Sequence, residues 1–167
     1  MKLSLIASIA SIACAVVALP AVAADVTYRN EVAPMLKKYC AECHSEKAGA
    51  PSMADFNLDQ EKYKKEKVGP RSDTYEHLLQ LVNGKSTGAF MRRLDDGTSP
   101  YSGGKPGNMY KYLCEQDNKD NNAECAANLL VLKAWVGEGG WNLNRMSARG
   151  DVPALTKEQM DKVKVKY

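Results

Sequence analysis

The chain has 167 residues, of which 44% are apolar, and carries 23 basic against 20 acidic side chains for a net charge of +3. That length allows one modest core and no second large domain, and so even a charge balance argues against nucleic acid as a partner.

Residues 1–24 differ from everything after them. Lys2 gives a positive start, residues 3–19 are almost wholly apolar or small, and Ala21-Val22-Ala23 has the small-x-small pattern of a cleavage site. The apolar run is short, is interrupted by Ser4, Ser8 and Ser11, and stops at Pro20, which disfavours a membrane anchor. The segment predicts a signal peptide, export to a periplasm-like compartment, and a soluble mature chain without a membrane span. Cys14 leaves with the peptide. Cleavage removes one lysine and no acid, leaving 22 basic and 20 acidic side chains. Four cysteines remain, Cys40, Cys43, Cys114 and Cys125, in a compartment where thiols are oxidised or captured.

Val32, Leu36 and Cys40 recur every four residues, with Met35 and Tyr39 alongside, so the chain approaches its first cysteine pair as a helix. Pro34 is compatible with the first turn of that helix. Cys40-Ala41-Glu42-Cys43-His44 is a C-x-x-C-H run, the haem-attachment pattern. The i, i+3 spacing brings both sulfurs to one side, where they add to the two vinyl groups of one porphyrin, and the next residue offers its imidazole to the iron. Other uses of these cysteines fit less well. No second C-x-x-C or H-x3-H follows to complete a zinc site, and no strand precedes the pair as a thioredoxin-type dithiol requires. One motif means one covalent haem c, with Cys40 and Cys43 as tethers and His44 as the proximal iron ligand.

The stretch from Val32 to His44, together with Leu132-Lys133-Ala134-Trp135-Val136-Gly137 far downstream, resembles the first and last helices of class I cytochromes c. The resemblance implies an all-α, cytochrome c-like fold with crossing N- and C-terminal helices, loops wrapping the haem, and a methionine on the far side of the iron. It divides the mature chain into a haem domain, 25–140, and a C-terminal extension, 141–167.

Between these ends, residues 45–71 are polar and marked by Gly49, Pro51, Gly69 and Pro70, which predicts a long loop with at most a short helix near 59–65. Lys62, Lys64, Lys65, Lys67 and Arg71 concentrate positive charge there, read as a solvated face or as a docking patch for an acidic redox partner. A helix over 72–82 has Tyr75, Leu78, Leu79 and Val82 on its apolar stripe, with His77 opposite, toward solvent. Arg92 and Arg93 have the fork geometry to pair with haem propionates.

Six methionines survive cleavage. Met109 lies in the turn-rich run Gly103-Gly104-Lys105-Pro106-Gly107-Asn108, just ahead of the last helix, and is the first candidate for distal iron ligand. In class I cytochromes a ligand methionine occupies a similar loop. Met91, between Phe90 and Leu94, is the competitor and serves packing as readily. A thioether there would leave no open coordination site, which suits electron transfer over catalysis.

Cys114 and Cys125 bracket a polar run and, in an exported chain, predict a disulfide. The last long helix spans 123–136, buries Leu129, Leu132 and Val136, places Trp135 near the haem or, alternatively, as an ordinary core tryptophan, and ends at Gly137. Thr156 and Gln159 have capping-box spacing, with Leu155 and Met160 as the hydrophobic staple of a terminal helix, 157–165, appended to the core.

These readings converge on a carrier of single electrons between a redox donor and acceptor, and not on an enzyme. Two alternatives stay open: a haem with a vacant distal site, as in a gas sensor or peroxidase-like protein, and a fixed electron-transfer subunit of a larger dehydrogenase docked through 141–167.

Overall fold

The computed structural model describes residues 25–83, 88–115, 122–141, 143 and 154–167; the expected signal peptide 1–24, the polar run 116–121 and the segment 145–153 lie outside them. Among the described residues all regular structure is helical, which is the all-α class the sequence predicts.

The hydroxyl of Thr27 accepts from the Asn30 N–H at 3.2 Å, while the Thr27 N–H donates to Glu31 at 2.7 Å. This reciprocal cap starts a π-helical turn, Tyr28–Val32, that runs directly into helix α1, Ala33–Tyr39. Pro34 sits in the first turn of α1, where the N–H it lacks is not needed. Val32, Met35 and Leu36 face the core. The helix breaks at Cys40 and resumes for one turn as α2, Ala41–His44.

The polar stretch after α2 holds two helices rather than one, α3 at Met53–Leu58 and α4 at Gln60–Glu66. Neither has a buried residue, so capping explains them. Ser52 accepts from the Asp55 N–H and Asp59 from the Lys62 N–H, both at 3.1 Å. Phe56 and Tyr63 stack across the pair with centroids 5.7 Å apart. Lys67, in the left-handed region at φ +59°, stops α4.

Helix α5, Tyr75–Val82, begins three residues later than expected because Thr74, not a residue before Ser72, supplies the cap. It packs on α6, Gly88–Leu94, and the two contribute Leu78, Leu81, Val82, Phe90, Met91 and Leu94 to the core. A single 3₁₀ turn, Tyr110–Tyr112, leads to Cys114. Helix α7, Asn122–Val136, buries Cys125, Leu129, Leu132, Trp135 and Val136. Gly137, at φ +89°, ends it by donating its N–H to the Lys133 carbonyl at 2.9 Å.

The start of the described chain and the region of α7 meet. Tyr28 and Trp135 lie with ring centroids 6.3 Å apart, Tyr39 donates its hydroxyl to Glu124, and Lys38 pairs with Glu115 at 2.8 Å. Cys114 is joined to Cys125 with a Cα separation of 4.8 Å, which ties the start of α7 to the chain before it.

The terminal helix α8, Lys157–Lys164, has the full capping box of Thr156 and Gln159, with Leu155 and Met160 both buried. It is not an appendage. Met160 and Val163 enter the common core, the Tyr28 N–H donates to the Lys166 carbonyl at 2.7 Å, and Lys166 Nζ donates to the Ala134 carbonyl at 2.7 Å. That last bond caps the carbonyl end of α7 with a cation, where the helix dipole favours one. The ring of Tyr167 completes a cage with Tyr75 at 4.7 Å and Tyr28 at 5.8 Å, beneath the guanidinium of Arg29. The physical reason is area: α8 has an apolar edge of its own, and the crossing of α7 with Tyr28–Val32 leaves a surface for it.

Candidate haem site

Cys40 stands at the junction of α1 and α2, and its carbonyl accepts from the N–H groups of Cys43 at 3.1 Å and His44 at 2.8 Å. This one tight turn carries all three residues of the attachment motif. Both thiols are free, Cys40 half-buried against the core and Cys43 exposed. Burial pushes the Cys40 thiol up to about 11, with the neighbouring Cys43 adding to the rise, so it is held as a protonated thiol at neutral pH. Ser45 closes the turn by donating its hydroxyl to the Ala41 carbonyl at 2.5 Å.

The imidazole of His44 is oriented from behind. Its Nδ1 lies 2.9 Å from the carbonyl oxygen of Pro70. A carbonyl can only accept, so the proton resides on Nδ1 and the lone pair on Nε2. That is the tautomer an iron ligand needs, with the second nitrogen held by a backbone acceptor. Gly69 makes the close approach possible: a Cβ there would lie 2.5 Å from His44 Cε1. Two free thiols at i, i+3 and a following imidazole with Nε2 available are a donor set that fits a covalent haem. Trp135 is fully buried with no acceptor for its Nε1 among the described residues, and is the kind of donor a haem carboxylate satisfies.

The strap 69–74 was legible in the sequence only as a turn, through the pair Gly69-Pro70. Its contribution is larger. The Ser72 N–H donates to the His44 carbonyl and the Arg71 N–H to the Pro51 carbonyl, both at 2.9 Å. Arg71, which the sequence groups with a surface run of lysines, turns inward to Asp73 and is only 17% exposed. Burial pushes the Asp73 carboxyl up, but the Arg71 guanidinium and the Glu46 N–H outweigh it and leave the group below the ordinary carboxylate range. Among the lysines of the run, Lys64 pairs with Glu61 at 2.9 Å and Lys62 lies over the Tyr63 ring, on a solvated face. His77 is not turned fully to solvent. Its Nδ1 sits 3.0 Å from the Thr74 hydroxyl and 3.6 Å from Asp73, so the cap of α5 covers most of it.

The two methionine candidates are in different surroundings. Met91 is fully buried in α6, enclosed by the apolar core. Met109 is half-buried at the core's edge, at the end of a loop fastened to α6 by Met109 N–H to Arg93 carbonyl, 2.9 Å, and to the residue after α6 by Gly107 N–H to Asp95 carbonyl, 2.7 Å. Met53, in α3 just beyond the motif, shares the half-buried position against the core, a placement that no periodicity in its segment signalled. Arg93 donates to the Asn108 side chain at 2.8 Å, which stiffens the same loop. Arg92, Arg93 and Lys105 line a cleft of about 420 Å³ with Asn108.

Comparison with known proteins agrees with this chemistry. The model of the PccH Cytochrome c family matches residues 27–167. The solved structure of monoheme cytochrome PccH from Geobacter sulfurreducens is 39% identical, covers 86% of this chain and 100% of its own, and superposes with a TM-score of 0.62. No curated protein matches.

Proposed function

The chain belongs to the PccH cytochrome c family, and from that premise we propose that it is an exported shuttle, passing one electron at a time from a donor protein to an acceptor protein. One covalently bound haem c comes with the family, and electron transfer is its business. No helix among the described residues is long and apolar enough to cross a membrane.

The bound haem supplies the one-electron iron couple; the chain supplies the rest. In our reading Cys40 and Cys43 would tether the group, His44 would ligate its iron through Nε2, and Met109 would be the second iron ligand, with Met91 as the runner-up. The observation that carries this reading is the 2.9 Å bond from His44 Nδ1–H to the Pro70 carbonyl within a C-x-x-C-H turn. It fixes the imidazole before and after each transfer, so little reorganises when the charge changes. Residues 1–24 direct export and are removed, and residues 25–140 with 141–167 form the mature electron carrier.

Spectroscopy of both oxidation states with added carbon monoxide tests the proposal. A thioether charge-transfer band in the ferric protein and no gas binding by the ferrous protein are the outcomes of a closed carrier. Rapid gas binding would replace it with an open-site haem protein. Size-exclusion of the native material separates a free shuttle from a fixed subunit of a larger oxidoreductase.

A further inference from the structure

Neither residue that touches the His44 ring from behind has a polar side chain to anchor it. Gly69 has no side chain, and Pro70 has no N–H. The residues that follow them do the fastening. Asp73 accepts from the Glu46 N–H at 2.8 Å through Oδ2, which grips the chain just beyond His44. Arg71 donates to both oxygens of the same carboxylate, from Nε at 3.0 Å and from Nη2 at 3.2 Å, and reaches Glu46 Oε2 at 3.1 Å. Both side chains are 17% exposed, so this fork is partly withdrawn from water, where a bidentate pair holds its geometry best.

We propose that Arg71 and Asp73 are positioning residues that hold the Pro70 carbonyl on His44 Nδ1 and thereby keep the reduction potential of the haem low. The inference rests on His44 being the proximal ligand. A carbonyl that accepts from Nδ1–H makes the imidazole a stronger donor through Nε2, which favours the ferric state. A slack strap weakens that bond and raises the potential. A simple charge effect gives a different pattern, because the two side chains carry opposite charges. Felt only as charges, loss of Asp73 would raise the potential and loss of Arg71 would lower it. As positioning residues, both losses raise it.

The test uses the haem-loaded protein with Arg71→Ala and Asp73→Ala, and with the milder Arg71→Lys and Asp73→Asn. Two quantities are read: the midpoint potential, and the solvent exchange of the His44 Nδ1 proton by NMR in the reduced state. Each alanine variant is expected to raise the equilibrium constant for reduction about threefold, an upward shift of about 28 mV at about 59 mV per tenfold. Exchange should quicken about tenfold, and the milder variants should recover part of both changes. Shifts of opposite sign for Arg71 and Asp73, or an exchange rate that does not move, would overturn the assignment. If an alanine variant does not mature, the lysine and asparagine variants decide by the same two readings. Failure of the underlying ligand reading looks different: the His44 ring of the unaltered ferric protein would then show no hyperfine-shifted resonances.

Discussion

The Cα of Gly107 rests on the carbonyl of Arg93, so closely that a Cβ there would lie 2.2 Å from the oxygen. Two backbone bonds, from Gly107 to Asp95 and from Met109 to Arg93, hold the glycine-rich loop in that position against the end of α6. Gly107→Ala therefore cannot be absorbed by a flexible side chain, because the opposing atoms are backbone. A loss of about 1–3 kcal/mol of stability is expected from the forced separation. Since the same contact sets the place of Met109, the ferric thioether band should weaken together with the melting temperature. A variant with lowered stability and an unchanged band would detach Met109 from the iron.

Met91 and Met109 should respond oppositely to removal. Met91→Ala deletes a fully buried side chain and is expected to cost about 2–5 kcal/mol while leaving the band in place. Met109→Ala, at a half-buried position, should cost less stability, abolish the band and let the ferrous protein bind carbon monoxide. Denaturant titration alongside absorption spectra reads both, and the reverse pattern would hand the ligand role to Met91.

The bridge between Cys114 and Cys125 closes a loop spanning 11 positions. Replacing both cysteines by serine should lower stability by about 3 kcal/mol in the chain-entropy model. The bridge flanks the contacts that Lys38 and Tyr39, next to Cys40, make with Glu115 and Glu124, so the haem spectrum should change only as far as those contacts loosen. Equal stability of the parent and the double variant under oxidising conditions would count against a structural role.

Asp95 is 3% exposed and accepts from the Gly97 N–H at 3.0 Å. Burial pushes its carboxyl above the ordinary value, against the pull of that N–H. A carboxyl raised in the folded state contributes stability that is complete below the unfolded value near 4 and is lost as pH climbs through the folded value. Asp95→Asn keeps an acceptor for Gly97 and removes the buried charge. It should be more stable than the parent at neutral pH, with the gain shrinking as pH falls toward about 4. A gain that persists unchanged in acid would point to a cause other than ionisation.

Local chemistry was readable wherever a few adjacent residues carried the signal. Cys40, Cys43 and His44 declare themselves by spacing. Thr156 and Gln159 declare a helix start, and Gly137 a helix end. Leu129, Leu132 and Val136 declare a buried face. At residues 45–71 the same local reading found the helix near 59–65 but missed α3, which Ser52 caps and which has no fully buried residue to leave a periodic trace.

What the sequence by itself determined is the set of groups that can bind a haem and the helices that flank them, because covalent attachment and helix capping act over three or four residues. Only the tertiary structure decided which backbone orients His44, that Arg71 turns from the lysine face to Asp73, and that α8 joins the core. The first and last of these depend on pairs 26 and 138 positions apart, Pro70 with His44 and Lys166 with Tyr28, and Arg71, though only two positions from Asp73, also reaches Glu46 25 positions back. Such pairings are set by how whole surfaces pack, which no short window of sequence records.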